Sequence, residues 1–292
     1  MRVLVTNDDG VHAPGLAAIT RALARWAADH DGRHQVIVVA PLANHSGASA
    51  AVGTVYERAA ISYRRVHIEG ADDVPAYGVD APPALAVLVG TLGGFGPRPD
   101  MVVSGINLGA NVGRSVLHSG TVGATLAGAQ LGLRGMAVSL RAGFPPEQWD
   151  TASTIAVALL PALCDAPPRT VLNLNVPSLP MDELRGVRRA RISTSGIVKQ
   201  ATGGLAGGLA HGVDGPARRG GDDEGEIRLT LGAAVPTLGH ADESEDPEDD
   251  AALVAAGFAA LTPIVGVRED AAPDADEVVR AALSSLHRLL GR

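Results

Sequence analysis

Apolar positions along this chain come in two patterns, short unbroken runs and stripes at helical spacing, and the two alternate over the first 190 residues. Val3-Leu4-Val5 sits inside a run of strand length, Arg2 to Thr6, that ends in Asn7-Asp8-Asp9-Gly10. Leu16, Ile19, Leu23 and Trp26 then recur every three or four residues, with Pro14 where a first turn tolerates it, which predicts a helix over roughly 15–29. Gln35 to Ala40 is a second strand-length apolar run, stopped by Pro41, and completes a β-α-β unit. Further buried strands are predicted at Met101–Ser104, Met136–Leu140 and Thr170–Leu174, with helices near 82–93, 121–132 and 151–164. The alternation defines an α/β fold, a doubly wound and mostly parallel sheet, as the core over residues 1–190.

The last third reads differently. Ten of the 34 residues from 193 to 226 are glycine and apolar periodicity is almost absent, the pattern of a mobile loop or extended arm. Short strands are predicted at Ile227–Leu231 and Phe258–Thr262, and an amphipathic closing helix over 275–290. Residues 191–292 are therefore expected to form an irregular appendage.

Charge and composition remove several function classes. The net charge is −8, but eleven acids fall between Asp222 and Asp250, against a single base, Arg228. The rest of the chain is close to neutral, without the basic stripe a nucleic acid duplex would need. No apolar run reaches the length of a membrane span, and the first residues enter a strand directly, so the expected location is the cytoplasm. The single cysteine, Cys164, reads as a buried small hydrophobe and supplies neither a disulfide nor a thiolate metal cage.

The chemistry lies at the strand ends. In an open parallel sheet ligands sit outside the carboxyl ends of the strands. Here those ends carry Asp8 and Asp9, then Asn44, His45 and Ser46, then Ser104 and Asn107, then Ser139, then Asn173 and Asn175. Unpaired carboxylates at the end of a buried strand are costly, so Asp8 and Asp9 call for a cation, and a hard divalent metal held by oxygen is the first reading. The glycine-rich stretch from Ser104 to Gly113 permits close backbone approach to a ligand, and it leads to Ser119-Gly120-Thr121 at the start of a predicted helix. A helix N-terminus with hydroxyls and free amides favours a phosphate. The first strand-to-helix turn lacks the three-glycine fingerprint of dinucleotide binding, which sets an oxidoreductase well behind phosphoester hydrolysis.

These segments resemble the survival protein E (SurE) nucleotidases. The stretch from Thr6 to Gly15 is similar to the family's opening motif, and the likeness recurs at Val39-Ala40-Pro41, Ser46 to Ser49, Pro99 to Asn111 and Ser119 to Val122. It continues through Asn173 to Pro177 and Leu261-Thr262-Pro263. The resemblance implies a Rossmann-like core, a C-terminal extension exchanged between the subunits of a homodimer or homotetramer, and metal-dependent hydrolysis of nucleoside monophosphates. It places one divalent cation per subunit, Mg²⁺ or Mn²⁺, on Asp8, Asp9, Ser46 and Asn107. It gives the phosphoryl group to Asn111 and to Ser119, Gly120 and Thr121.

His118 adjoins that turn and, with Asp8, Asp9 and Asn111, completes the expected catalytic set; His12 and His45 lie in or beside the same loops. Two departures from the family pattern bear on the substrate. A polar Gly-Thr-Pro-x-Asp-Cys segment stands here as Asp80-Ala81-Pro82-Pro83-Ala84-Leu85, which implies an altered pocket, and Asp250 is the matched member of a Thr-Asp pair. With aromatic residues at 3%, few side chains are available to stack on a base. A sugar or cyclitol phosphate therefore stays open as the alternative substrate, as does a silent metal- or phosphate-binding regulatory protein.

Overall fold

The structure is a computed structural model that describes residues 1–30, 33–53, 55, 60–143, 146–194, 198–203, 227–231, 246–267, 277, 279, 280 and 283. Six parallel strands form its centre: β1 (Arg2–Thr6), β2 (Gln35–Pro41), β4 (Ala76–Val79), β5 (Met101–Leu108), β6 (Arg134–Leu140) and β7 (Val171–Val176). Antiparallel β3 (Tyr63–Val66) closes one edge. On the other side β11 (Ala259–Ile264) runs antiparallel to β7, and β8 (Val187–Arg189) lies parallel to β11. The order is β3-β4-β2-β1-β5-β6-β7-β11-β8. A strand from the C-terminal third thus belongs to the main sheet.

Both faces of the sheet are covered, which is why its central strands read as unbroken apolar runs. Along β1, Val3 and Val5 face α1 (Pro14–Ala28) and α4 (Trp149–Asp165), whereas Leu4 faces α2 (Pro83–Thr91) and α3 (Gly120–Gln130). Leu4 is 1% exposed, and a side chain at Gly90 of α2 would collide with its Cδ1. A short α5 (Asp250–Ala255) packs over β11 through Leu253 and Val254. Among the described residues no helix is long and apolar enough to cross a membrane.

The sequence pattern predicts β1, β2, β5, β6, β7 and α1 to α4, each within a few residues of its observed bounds. It omits β3, β4 and β8. Those strands are three or four residues long, and β3 and β8 carry mostly exposed, polar side chains on sheet edges, so they have no alternation to read. The glycine-rich stretch also contains a strand, β9 (Val198–Gly203), paired antiparallel to the expected strand at Ile227–Leu231, here β10. Residues 277, 279, 280 and 283 are helical, and the remainder of the predicted 275–290 helix lies outside the described residues.

Leu4 is expected to be a keystone of the α2 face. Leu4→Ala should lower the unfolding free energy by about 3 kcal/mol in a urea titration, with no change in slope. A loss below about 1 kcal/mol would mean that this face is loosely packed.

Candidate active site

The carboxyl ends of β1, β2 and β5 and the start of α3 converge on Asp8 and Asp9. Asp8 is 3% exposed. Its Oδ1 accepts a hydrogen bond from the Thr121 hydroxyl, and its backbone carbonyl accepts from the His45 N–H at 2.7 Å. Gly120, the first residue of α3, has no side chain because Asp8 occupies the space: a Cβ there would lie 2.7 Å from Asp8 Cβ. Asp9 is half-buried, and its Oδ2 accepts from the Leu108 N–H at 3.4 Å.

Burial, and then the adjacent Asp8 carboxylate, push the Asp9 carboxyl up to about 6, against a smaller opposing pull from the Leu108 N–H. None of the ion pairs among the described residues involves either acid. The pair is a concentrated negative site held at the end of a buried strand.

The loop after β2 comes beside it. Ser46 is exposed there, its N–H bonded to Asn44 Oδ1 at 2.7 Å. This loop is fastened to α3. Ser49 donates through its hydroxyl to the Leu117 carbonyl at 2.7 Å, and through its N–H to the His118 carbonyl at 3.2 Å. A Cβ at Gly123 would fall 2.3 Å from the Ser49 carbonyl, so α3 and the loop touch backbone to backbone. Asn107 stands on the far side, at the end of β5, where the register with β6 shifts. Its Nδ2 donates to the Gly109 carbonyl at 2.6 Å, so the side chain offers Oδ1, the atom type a cation takes.

Ser119 caps α3, its Oγ accepting from the Val122 N–H at 3.1 Å, and the Gly123 N–H bonds the Ser119 carbonyl at 2.9 Å. The amides of Gly120 and Thr121 are the donors of this first turn that an intrahelical bond does not take up. Asn111 is the hub of a buried polar network. Its Nδ2 donates to Ser139 Oγ at 2.8 Å, its N–H to Asn175 Oδ1 at 2.7 Å, and its carbonyl accepts from the side chains of Asn173 and Asn175 at 2.9 and 3.0 Å. An amide nitrogen carries two protons, so one remains for a ligand.

His118 is exposed at the end of the 3₁₀ turn Gly113–His118 and touches the neighbouring loop through its backbone carbonyl. His12 is exposed and His45 half-buried.

The structure adds to the sequence reading at two points. The first is Asp250, fully buried, whose carboxylate accepts from the Gly113 N–H (3.0 Å to each oxygen) and the Ser193 N–H (3.0 Å). It ties the C-terminal segment to the loop that carries Asn111. Burial raises its carboxyl above the usual range, opposed by those two amides. The second is a cavity of about 480 Å³ that opens beside Asp9, lined in part by Leu42, Leu108, Glu147 and Trp149. The altered 80–85 segment lies elsewhere: Ala81 and Leu85 are packed into the apolar cluster under α2 with Ile37, Val39 and Val79.

The model of the family Survival protein SurE matches residues 3–199. The chain belongs to the SurE family. Relatives named 5'/3'-nucleotidase SurE from Escherichia coli O1:K1 / APEC and from Shigella boydii serotype 18 are each 42% identical to it over 196 residues, which cover 66% of this chain and 70% of theirs. The SurE protein from Aquifex aeolicus has the same fold, with a TM-score of 0.66 at 24% identity over 99% of both chains. Among the described residues no group of three or more His, Cys, Asp or Glu is placed to hold a metal ion. A metal centre in this SurE chain would therefore rest on the two acids completed by neutral oxygens, a hard donor set suited to Mg²⁺ or Mn²⁺.

The raised Asp9 carboxyl fixes a sign. The folded protein holds that proton more tightly than the unfolded chain, whose Asp titrates at 3.8. Its contribution to stability is fully present below 3.8 and is lost as pH rises through about 6. Melts of metal-free protein should show a lower Tm at pH 7.5 than at pH 5, and Asp9→Asn should flatten that difference. Mn²⁺ should raise Tm more at pH 7.5 than at pH 5, because protonated Asp9 is a poor ligand. An Asp9→Asn protein with the wild-type pH dependence would contradict this.

Proposed function

We propose that the chain is a divalent-metal-dependent phosphomonoesterase that hydrolyses nucleoside monophosphates to nucleoside and phosphate. One observation carries the reading: a carboxylate pair with no ion-pair partner among the described residues is bonded, through Thr121 and Asp8, to the open first turn of an eleven-residue helix. Cation ligands and a phosphate cradle thereby share one wall. Membership of the SurE family and relatives named as 5'/3'-nucleotidases support the same reaction.

In this reading Asp8, Asp9, Ser46 and Asn107 hold one Mg²⁺ or Mn²⁺ per subunit. The bound ion supplies charge neutralisation and polarisation of a phosphoryl oxygen. The chain's own groups do the rest. The Gly120 and Thr121 amides and the Ser119 hydroxyl grip non-bridging oxygens, favoured by the positive end of α3. The remaining Asn111 amide proton meets charge that develops on the phosphoryl group, from a side chain braced by Ser139, Asn173 and Asn175 and therefore needing little reorganisation. His118 stands where its exposed imidazole can take or give a proton at the leaving or attacking oxygen. The reaction is direct attack by water. The subunits assemble as a homodimer or homotetramer, with residues 191–292 as the exchanged segment.

A panel of nucleoside, sugar and cyclitol monophosphates with Mn²⁺ tests the reading. Nucleotides should be turned over best, and Asp8→Asn should lower kcat by roughly 1000-fold or more. Highest activity on a sugar or cyclitol phosphate would replace the substrate class, and metal binding with no turnover of any ester would replace the enzyme. His118→Ala should lower kcat about tenfold or more and alter its pH profile. Trapping a phospho-aspartate in a rapid quench would overturn direct water attack.

A further inference from the structure

The cavity of about 480 Å³ beside Asp9 has the size of a small-ligand site, and its walls differ sharply in chemistry. Leu42, Leu108, Ala13 and Pro14 give it an apolar lining, and Trp149, the first residue of α4, contributes an aromatic ring. That ring closes onto α1 because position 15 is glycine: a Cβ there would lie 2.9 Å from Trp149 Cζ3. The polar groups are Asp9, His12 and Glu147, and among the described lining residues there is no lysine or arginine. Such a cavity disfavours a second phosphate and favours a flat, uncharged ring whose edge donates hydrogen bonds.

The other described aromatic side chains are committed elsewhere. Trp26 stacks on His34 at 4.4 Å between ring centroids, Tyr63, Tyr77 and Phe95 form their own cluster, and Phe258 lies under Arg185 and Arg188. Trp149 is the one described aromatic residue lining the cavity at Asp9.

We infer that this cavity is the nucleobase subsite, with Trp149 as the stacking platform and Glu147 as the group that reads the base edge, selecting guanine. Guanine alone among the common bases presents two adjacent N–H donors, N1–H and the exocyclic amine, which a carboxylate can accept side by side. The inference rests on the phosphomonoesterase reading, since a phosphate held at Asp8, Asp9 and the α3 turn leaves the base to enter the neighbouring space. The scarcity of aromatic residues therefore does not remove base recognition; among the described residues it concentrates it on one ring.

The test separates the subsite from the chemistry. Guanosine, which carries no phosphate, should quench tryptophan fluorescence in the wild type and not in Trp149→Phe. Trp149→Ala should lower kcat/KM for GMP about tenfold or more, chiefly through KM, and leave ribose 5-phosphate within about twofold. Glu147→Gln should reduce the preference for GMP over IMP, which lacks the exocyclic amine, by about tenfold. GMP hydrolysis with unchanged KM in both variants would overturn the subsite while leaving the phosphomonoesterase standing. Quenching by guanosine in a protein that turns over neither GMP nor ribose 5-phosphate would uphold the subsite and remove the phosphomonoesterase.

Discussion

Two carboxylates, Asp8 and Asp9, share the end of a strand that is buried on both faces, and the surrounding structure is arranged around that repulsion. Sequence adjacency keeps the two acids together, and burial raises the cost of charging both. The fold answers with oriented dipoles. Thr121 gives its hydroxyl to Asp8, Leu108 gives its amide to Asp9, and the first turn of α3 lies directly against the Asp8 side chain. These donors soften the charge without neutralising it, as the Asp9 carboxyl at about 6 shows. In the proposed reading a cation completes the balance, and a phosphate completes the cation.

The groups that meet at this point are far apart along the chain, so the site depends on the sheet. Parallel β1, β5, β6 and β7 deliver Asp8, Asn107, Ser139 and Asn175 to the same edge of one layer. Asn111 then ties the loop after β5 to β6 and β7 by hydrogen bonds with their side chains, and Asp250 fastens the same loop from the C-terminal third. The loop that carries Ser46 is held against α3 at Gly123, where a methyl group would not fit. Rigidity at these contacts fixes ligand geometry more tightly than a mobile loop could.

Much of this was legible in the sequence for a physical reason. Strands buried on both faces write themselves as unbroken apolar runs, and the rule that ligands gather at their carboxyl ends then points to Asp8, Asp9, Ser46 and Asn107 among a wider set of strand-end residues, to which only the family resemblance adds Asn111. The edge strands β3 and β8 were not legible, because exposed residues there follow no alternation. The resemblance sets Asp250 apart within the acidic run, but its role depends on amides of Gly113 and Ser193 that spacing cannot bring near. Trp149 lies just ahead of the apolar stripe of α4 and carries no periodic signal of its own. In the 80–85 segment, whose loss of polar residues reads as a changed pocket, Ala81 and Leu85 make core contacts beneath α2 that spacing alone does not show.

The central claim is that the acid pair exists to hold one hard cation. Calorimetric titration of Mn²⁺ into metal-free protein at pH 7.5 tests it most directly, beside an Asp8→Asn variant whose circular dichroism matches the wild type. The account predicts one ion per chain and an affinity lower by roughly 100-fold or more in Asp8→Asn, with first-sphere loss exceeding the usual effect of an outer-sphere change. Equal affinity in the two proteins, or no binding to either, would contradict it.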